Sequence, residues 1–168
     1  MTLEALHAAV KSPEVKAVAR HWAEVKGSRR MPGWGDIQPS RITRQLPIIW
    51  AYSYDRATDT FTGRLAGDRI EAMFGKTFRH TPLADIFPPG EYQDVFERAK
   101  RVIDEPAVYR CEGLVFRQLN RFGYGERIIL PLASDGVHAD GILGCTEYQS
   151  VEGACDTSRP LSGEWFSL

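Results

Sequence analysis

The side chains with reactive chemistry are few, and their spacing argues against a catalytic set. Asp68, Asp85 and His80 are the acid/base candidates. Catalysis needs a base, a reacting group and an orienting partner brought together, and these three form no paired motif, so a small α+β enzyme is the weaker reading. His80 could ligate a haem iron, but it stands alone in a polar stretch with no second ligand signal, and solvation is the plainer reading. Cys111, Cys145 and Cys155 are odd in number and lack CxxC or Cys/His zinc spacing, which reads as reduced thiols.

The charged candidates each have a structural reading beside the functional one. Asp36, between Gly35 and Ile37 and just before Pro39, is suited to accept backbone N–H groups in a turn. Arg29 and Arg30 lack the Gly-rich helix opening that would cradle phosphate. "LAGDRIEAMFG" contains neither GxGxxG nor GxxxxGK[ST], so nucleotide binding of those kinds has no support. Arg64, at the end of a strand-like run, is either a surface charge or a buried guanidinium paired with Asp68 or Asp85, and the ion pair is the favoured reading.

These residues belong to a chain of 168 residues with a formal charge of −1, which suits one domain and gives no overall pull toward nucleic acid or anionic lipid. Residues 1 to 44 hold eight basic side chains against four acidic ones. Lys26, Arg29, Arg30, Arg41 and Arg44 therefore define a nucleic-acid alternative, which predicts steeply salt-dependent binding. No signal-peptide pattern and no run of about 18 apolar residues is present, so a soluble cytoplasmic protein is expected.

The elements follow from periodicity and punctuation. Leu3, Leu6 and Val10 outline a short amphipathic piece, and Ser12-Pro13-Glu14 then starts a helix. Val15, Val18, Trp22 and Val25 recur at helical spacing up to Gly27. "PSRITRQLP" reads as one helical turn closed by Pro47, while "IIWAYSY" (48 to 54) and "FTGRLAG" (61 to 67) read as a hairpin. "RIEAMF" is a short helix ended by Gly75, and Glu91 to Glu105 a longer one closed by Pro106. Strand-like runs at 107 to 116, 126 to 132 and 141 to 148 follow, separated by the turn-rich "NRFGYG" and "ASDGVHADG". The order predicts an α+β fold: one antiparallel sheet with the central helices on one face and an N-terminal helix burying its stripe separately.

An ordered set of motifs resembles the PAS superfamily of sensory domains, in particular its small, mainly alphaproteobacterial fifth type. The set is Trp22, "RRMPGWGDIQP", "LPIIW", "FTGRLAGDRIEAMFGK", and "ERIILPLASDG" followed by "GILGCTEY", covering roughly 18 to 149. The resemblance implies a five-stranded antiparallel sheet in the order 2-1-5-4-3, with the helices enclosing a cavity against it. The chain departs from the family after Phe74, where "GKTFRHTPL" lacks a second glycine, so a differently shaped pocket lip is expected there. Cys111 lies outside the Asn-Cys-Arg-Phe-Leu-Gln type of motif that marks photoreactive flavin relatives, and no motif for haem, flavin or nucleotide is present.

The resemblance divides the chain into an N-terminal helical segment (1–27), a sensor domain (28–149) and a C-terminal tail (150–168) expected to lie outside the core and to be flexible. The cavity candidates are Phe61, Arg64, Met73, Phe74, Phe87, Tyr92, Phe96, Tyr109, Ile128 and Leu130. Residue types do not measure a void, so a filled core and a ligand cavity both stand. Function is expected to be that of a stand-alone, non-catalytic signalling module binding a small organic ligand, a partner protein or both. In relatives the N-terminal helix often mediates dimer contacts, so Val15, Val18, Trp22 and Val25 are the expected surface of a homodimer.

Overall fold

The computed structural model describes residues 3–118 and 120–168, with the side chain of Leu3 outside the description. Helix α1 (Leu3–Ala9) leads into α2 (Pro13–Lys26), whose Ser12 cap accepts the Val15 N–H at 3.3 Å. Short 3-10 turns between Trp34 and Ile48 bring the chain to strand β1 (Ile49–Asp55), which pairs with β2 (Thr60–Ala66). Helices α3 (Asp68–Phe74), α4 (Leu83–Ile86) and α5 (Pro89–Asp104) follow. Strands β3 (Ala107–Gln118), β4 (Arg121–Leu132), β5 (Gly141–Glu152) and β6 (Ser162–Ser167) complete the chain. The sheet is antiparallel in the order β2-β1-β5-β4-β3-β6. The expected 2-1-5-4-3 arrangement is there, with one strand added outside β3.

Register assigns the faces. Arg127 opposes Thr146, Ile129 opposes Gly144 and through it Trp50, and these residues face α3 and α5. Ile128 opposes Cys145 and Ile49, and Leu130 opposes Leu143 and Ala51, which places them on the other face. There α2 covers the sheet. Val15, Val18 and Trp22 are fully buried, and the Trp22 indole N–H donates to the Pro131 carbonyl at 2.9 Å. The stripe that called for a second subunit is satisfied within the chain; Val25 alone is half-buried. This corrects its assignment as a dimer surface, because Val15, Val18 and Trp22, already at zero exposure, have no area left to bury against a partner.

Two further expectations change. "NRFGYG" is a turn only at Asn120: Arg121 onward is strand, and the glycines are there for close approach, since a Cβ on Gly125 would lie 1.9 Å from the Glu147 carbonyl oxygen. The segment after residue 150 is not a tail outside the core, because β6 pairs with β3 from Ala107↔Ser167 to Glu112↔Ser162. Phe166 is buried and Trp165 packs on Tyr109 at 4.7 Å between ring centres. A guanidinium anchors the addition. Arg110, 3 % exposed, donates to Glu126 (2.6 Å), Glu112 (2.7 Å) and Glu164 of β6 (2.9 Å). The Glu126 carboxylate also accepts the Lys11 and Ser12 N–H groups, at 3.1 and 2.6 Å, so the same cluster fixes the start of α2.

Candidate functional site

The helical face of the sheet carries a dense aromatic layer. Phe74 of α3 meets Phe78, Phe87 and Phe116 edge-on, with ring centres 5.1 to 5.3 Å apart, and Phe116 meets Tyr148 in the same way. Deeper in, Trp50 packs on Tyr52 and Tyr52 stacks on Phe78. The Trp50 ring lies where a side chain on Gly144 would sit, with a Cβ there 2.0 Å from the indole, so that glycine makes room for it. The interior between Trp50, Tyr52, Ile70 and Ile142 retains only about 30 Å³, room for roughly one water.

Outward from this filled end the space opens into a cleft of about 360 Å³ between α5 and the facing stretch of β3 and β4. Phe74, Phe87, Val95 and Phe116 form its apolar wall, and Arg127 sits at its floor beside Arg98. Glu91 and Asp94 of α5, Arg117 of β3 and Leu161 line the more open side. Burial raises the Glu91 carboxyl above its ordinary pKa, an effect the Arg117 charge opposes. Burial also raises the Cys111 thiol, which is enclosed near Arg127 and is a protonated, unreactive group there. The volume lies within the range of small-molecule sites, and the lining joins the apolar wall to a charged side of Glu91, Asp94, Arg98, Arg117 and Arg127.

The anticipated cavity residues divide among several places. Phe74 and Phe87 line the cleft. Phe61, Tyr92 and Phe96 instead pack together with Tyr54 as a separate aromatic cluster. Met73 is buried within α3, and Tyr109 lies under the Arg98 guanidinium, 5.2 Å from Cζ to ring centre. Ile128 and Leu130 belong to the opposite face, since strand alternation separates them from Arg127 and Ile129. Arg64 is neither buried nor ion-paired among the described residues; its Cζ lies 4.5 Å from the Trp34 ring centre on the outer surface. Asp68 accepts the neighbouring Arg69 N–H, and Asp85 is exposed. His80 is exposed with φ 62° and lines the groove beside Arg64 and Trp34.

Asp36 has a structural position. Its Oδ2 accepts the Gly33 N–H (2.7 Å) and an Arg29 N–H (2.8 Å), and those bonds, the Arg29 one foremost, hold its carboxyl below the usual carboxylate range. Arg29 also donates to the Val25 and Lys26 carbonyls, closing the end of α2. Of the cleft residues only Phe74 and Phe87 were anticipated; Val95, Phe116 and all of the charged groups, Arg98, Arg117 and Arg127 among them, were missed. A signal was available for the last: Glu126-Arg127 is a charged pair inside the apolar run of a central strand, where alternation must turn one of the two toward the helices.

Sheet order and helix placement have a counterpart among known families. The family model described as PAS domain matches residues 10–147. The chain belongs to the PAS-domain family. No curated protein and no solved structure matches the chain. The matched stretch of this PAS protein runs from the end of α1 to β5, so it includes α2 and leaves β6 outside. No helix among the described residues is long and apolar enough to cross a membrane.

Proposed function

We propose that this PAS protein is a non-catalytic sensory module of the cytoplasm that binds a small organic ligand in the cleft between α5 and the β3–β4 ribbon. The observation that carries the reading is the cleft itself: about 360 Å³, with an apolar wall of Phe74, Phe87, Val95 and Phe116 facing a charged side formed by Glu91, Asp94, Arg98, Arg117 and Arg127. Occupancy acts on α5 from one side and on β3 and β4 from the other, and β4 is the strand on which α2 rests. A ligand that favours one setting of α5 thereby biases the surface offered to a signalling partner. Self-association through a surface other than the α2 stripe belongs to the same proposal.

Native mass spectrometry of the full chain purified from its own host tests this reading. The expected result is an excess mass of a few hundred daltons or less, in keeping with a cleft at the small end of the ligand-site range of about 300–1,000 Å³. That mass should be released on denaturation, and the same spectrum reports the number of chains. Protein of bare polypeptide mass that also takes up nothing from a host metabolite extract would remove the reading.

A further inference from the structure

The two buried arginines of this protein are treated differently. Arg110 is answered by three carboxylates, those of Glu112, Glu126 and Glu164. Arg127, 9 % exposed, is answered by neutral groups alone. Its Nε donates to Thr146 Oγ1 at 3.0 Å, its Nη2 to the Val115 carbonyl at 2.5 Å, and its plane lies on Phe116, Cζ 4.8 Å from the ring centre. Nη1 has no hydrogen-bond acceptor, and no carboxylate lies within ion-pair distance, among the described residues. Burial and the like charge of Arg98 push the guanidinium below its ordinary pKa, against the pull of Cys111, Tyr52 and Tyr109. An uncompensated buried cation destabilises a fold, and this one forms the floor of the only sizeable cleft that the aromatic wall encloses among the described residues.

We propose that the cleft takes a small monocarboxylate with a flat apolar body, its carboxylate bound by Arg127 and Arg98 and its body against Phe74, Phe87 and Phe116. The inference rests on the cleft being the ligand site and names the ligand's chemistry. A guanidinium presents a planar fork that fits two carboxylate oxygens, and in a desolvated place such charge-assisted bonds are strong. The apolar wall suits a ring, which finds the edge-to-face partners that the phenylalanines already offer one another. Glu91 and Asp94 on α5 disfavour a second negative group, which limits the ligand to one acidic end. The same two carboxylates suit an ammonium, so an aromatic amino acid and a plain arylalkanoate share the recognised acid and differ at the mouth.

Calorimetric titration of the full chain with 3-phenylpropionate, L-phenylalanine and the amide of each tests this. At least one acid is expected to bind about tenfold or more tighter than its amide, the scale of a charged hydrogen bond. Preference for L-phenylalanine would assign a role to Glu91 and Asp94, and preference for 3-phenylpropionate would assign none; both support the proposal. Arg127→Met should abolish the acid's binding while leaving the melting temperature unchanged or raised, because it removes a charge without a counter-charge. Arg98→Met should weaken binding and keep the fold. Should Arg127→Met not fold, the comparison of acid with amide on the unaltered chain still decides. Binding of neither acid, equal binding of acid and amide, or retention of the acid by a folded Arg127→Met overturns the proposal. Equal binding of acid and amide in the cleft would leave the sensory reading standing; a bare mass with no uptake from the metabolite extract would remove both.

Discussion

Glu126 and Arg127 are neighbours in the chain and occupy opposite electrostatic settings, because a strand turns alternate side chains to opposite faces. Glu126 meets Arg110 and two backbone N–H groups under α2, while Arg127 meets a hydroxyl, a carbonyl and a ring on the cleft side. Other single residues have roles equally dependent on local geometry. Met31 is fully buried, and Trp34 is half-buried with Arg64 stacked on it where the chain leaves α2 for the sheet. Trp34→Ala is therefore expected to cost about 1–3 kcal/mol in urea unfolding, between the loss of an exposed cation–π contact and that of a buried ring; unchanged stability would show that the segment is not held by this side chain. His21 presents a titrating case. Its Nε2 accepts the Gln38 N–H at 3.0 Å, its Nδ1 has no partner, and burial first, then the Arg41 charge, lower its pKa against the pull of Glu24. A folded value below the unfolded one of about 6.5 leaves stability intact above that pH and removes it as pH falls through the window below. His21→Gln keeps an acceptor and cannot titrate, so wild type should lose stability relative to the variant as pH falls below about 6.5, read from urea midpoints.

At the scale of elements, α2 shows how a correct helix can carry a wrong function. Its spacing and Ser12 cap were legible, and its apolar stripe required cover, but sequence does not say whether the cover is a partner or the far side of the chain's own sheet. Trp22→Ala is expected to cost about 3–5 kcal/mol, as for other large buried side chains. The loss should be the same at every protein concentration, as measured by denaturant titration, since the contact is internal. The long strand β4 was half legible: "ERIILPL" reads as strand from its residue types, whereas Gly123 and Gly125 look like turn residues until the Glu147 backbone and the Phe116 and Tyr148 rings are seen against them. Strand β6 was hidden because Gly163 and Glu164 give it no apolar alternation; Glu164 reaches Arg110, and Gly163 leaves room for the Tyr109 ring.

At the scale of the molecule, the fold was legible because order, punctuation and family motifs agree on one sheet topology, and the family match over residues 10–147 bears this out. The cleft was legible only in part. Phe74 and Phe87 follow from helix and loop position, but the assignment of Arg127 over Ile128, or of Arg98 and Arg117 over Arg64, depends on register and on how α5 lies across the sheet. Those are long-range properties that no local pattern encodes. They give the molecule two differently used faces: one closed by α2 and the Arg110 cluster, the other holding a cleft with an unanswered cation. The most direct test of that division is backbone-amide NMR of the isotope-labelled full chain titrated with 3-phenylpropionate. Chemical-shift changes are expected to concentrate at Phe74, Phe87, the Glu91–Arg98 stretch of α5, Val115–Arg117 and Arg127, with α2 unaffected at low ligand. Changes centred on α2 or on the Trp34–Arg64 groove, or none at all, would contradict that division.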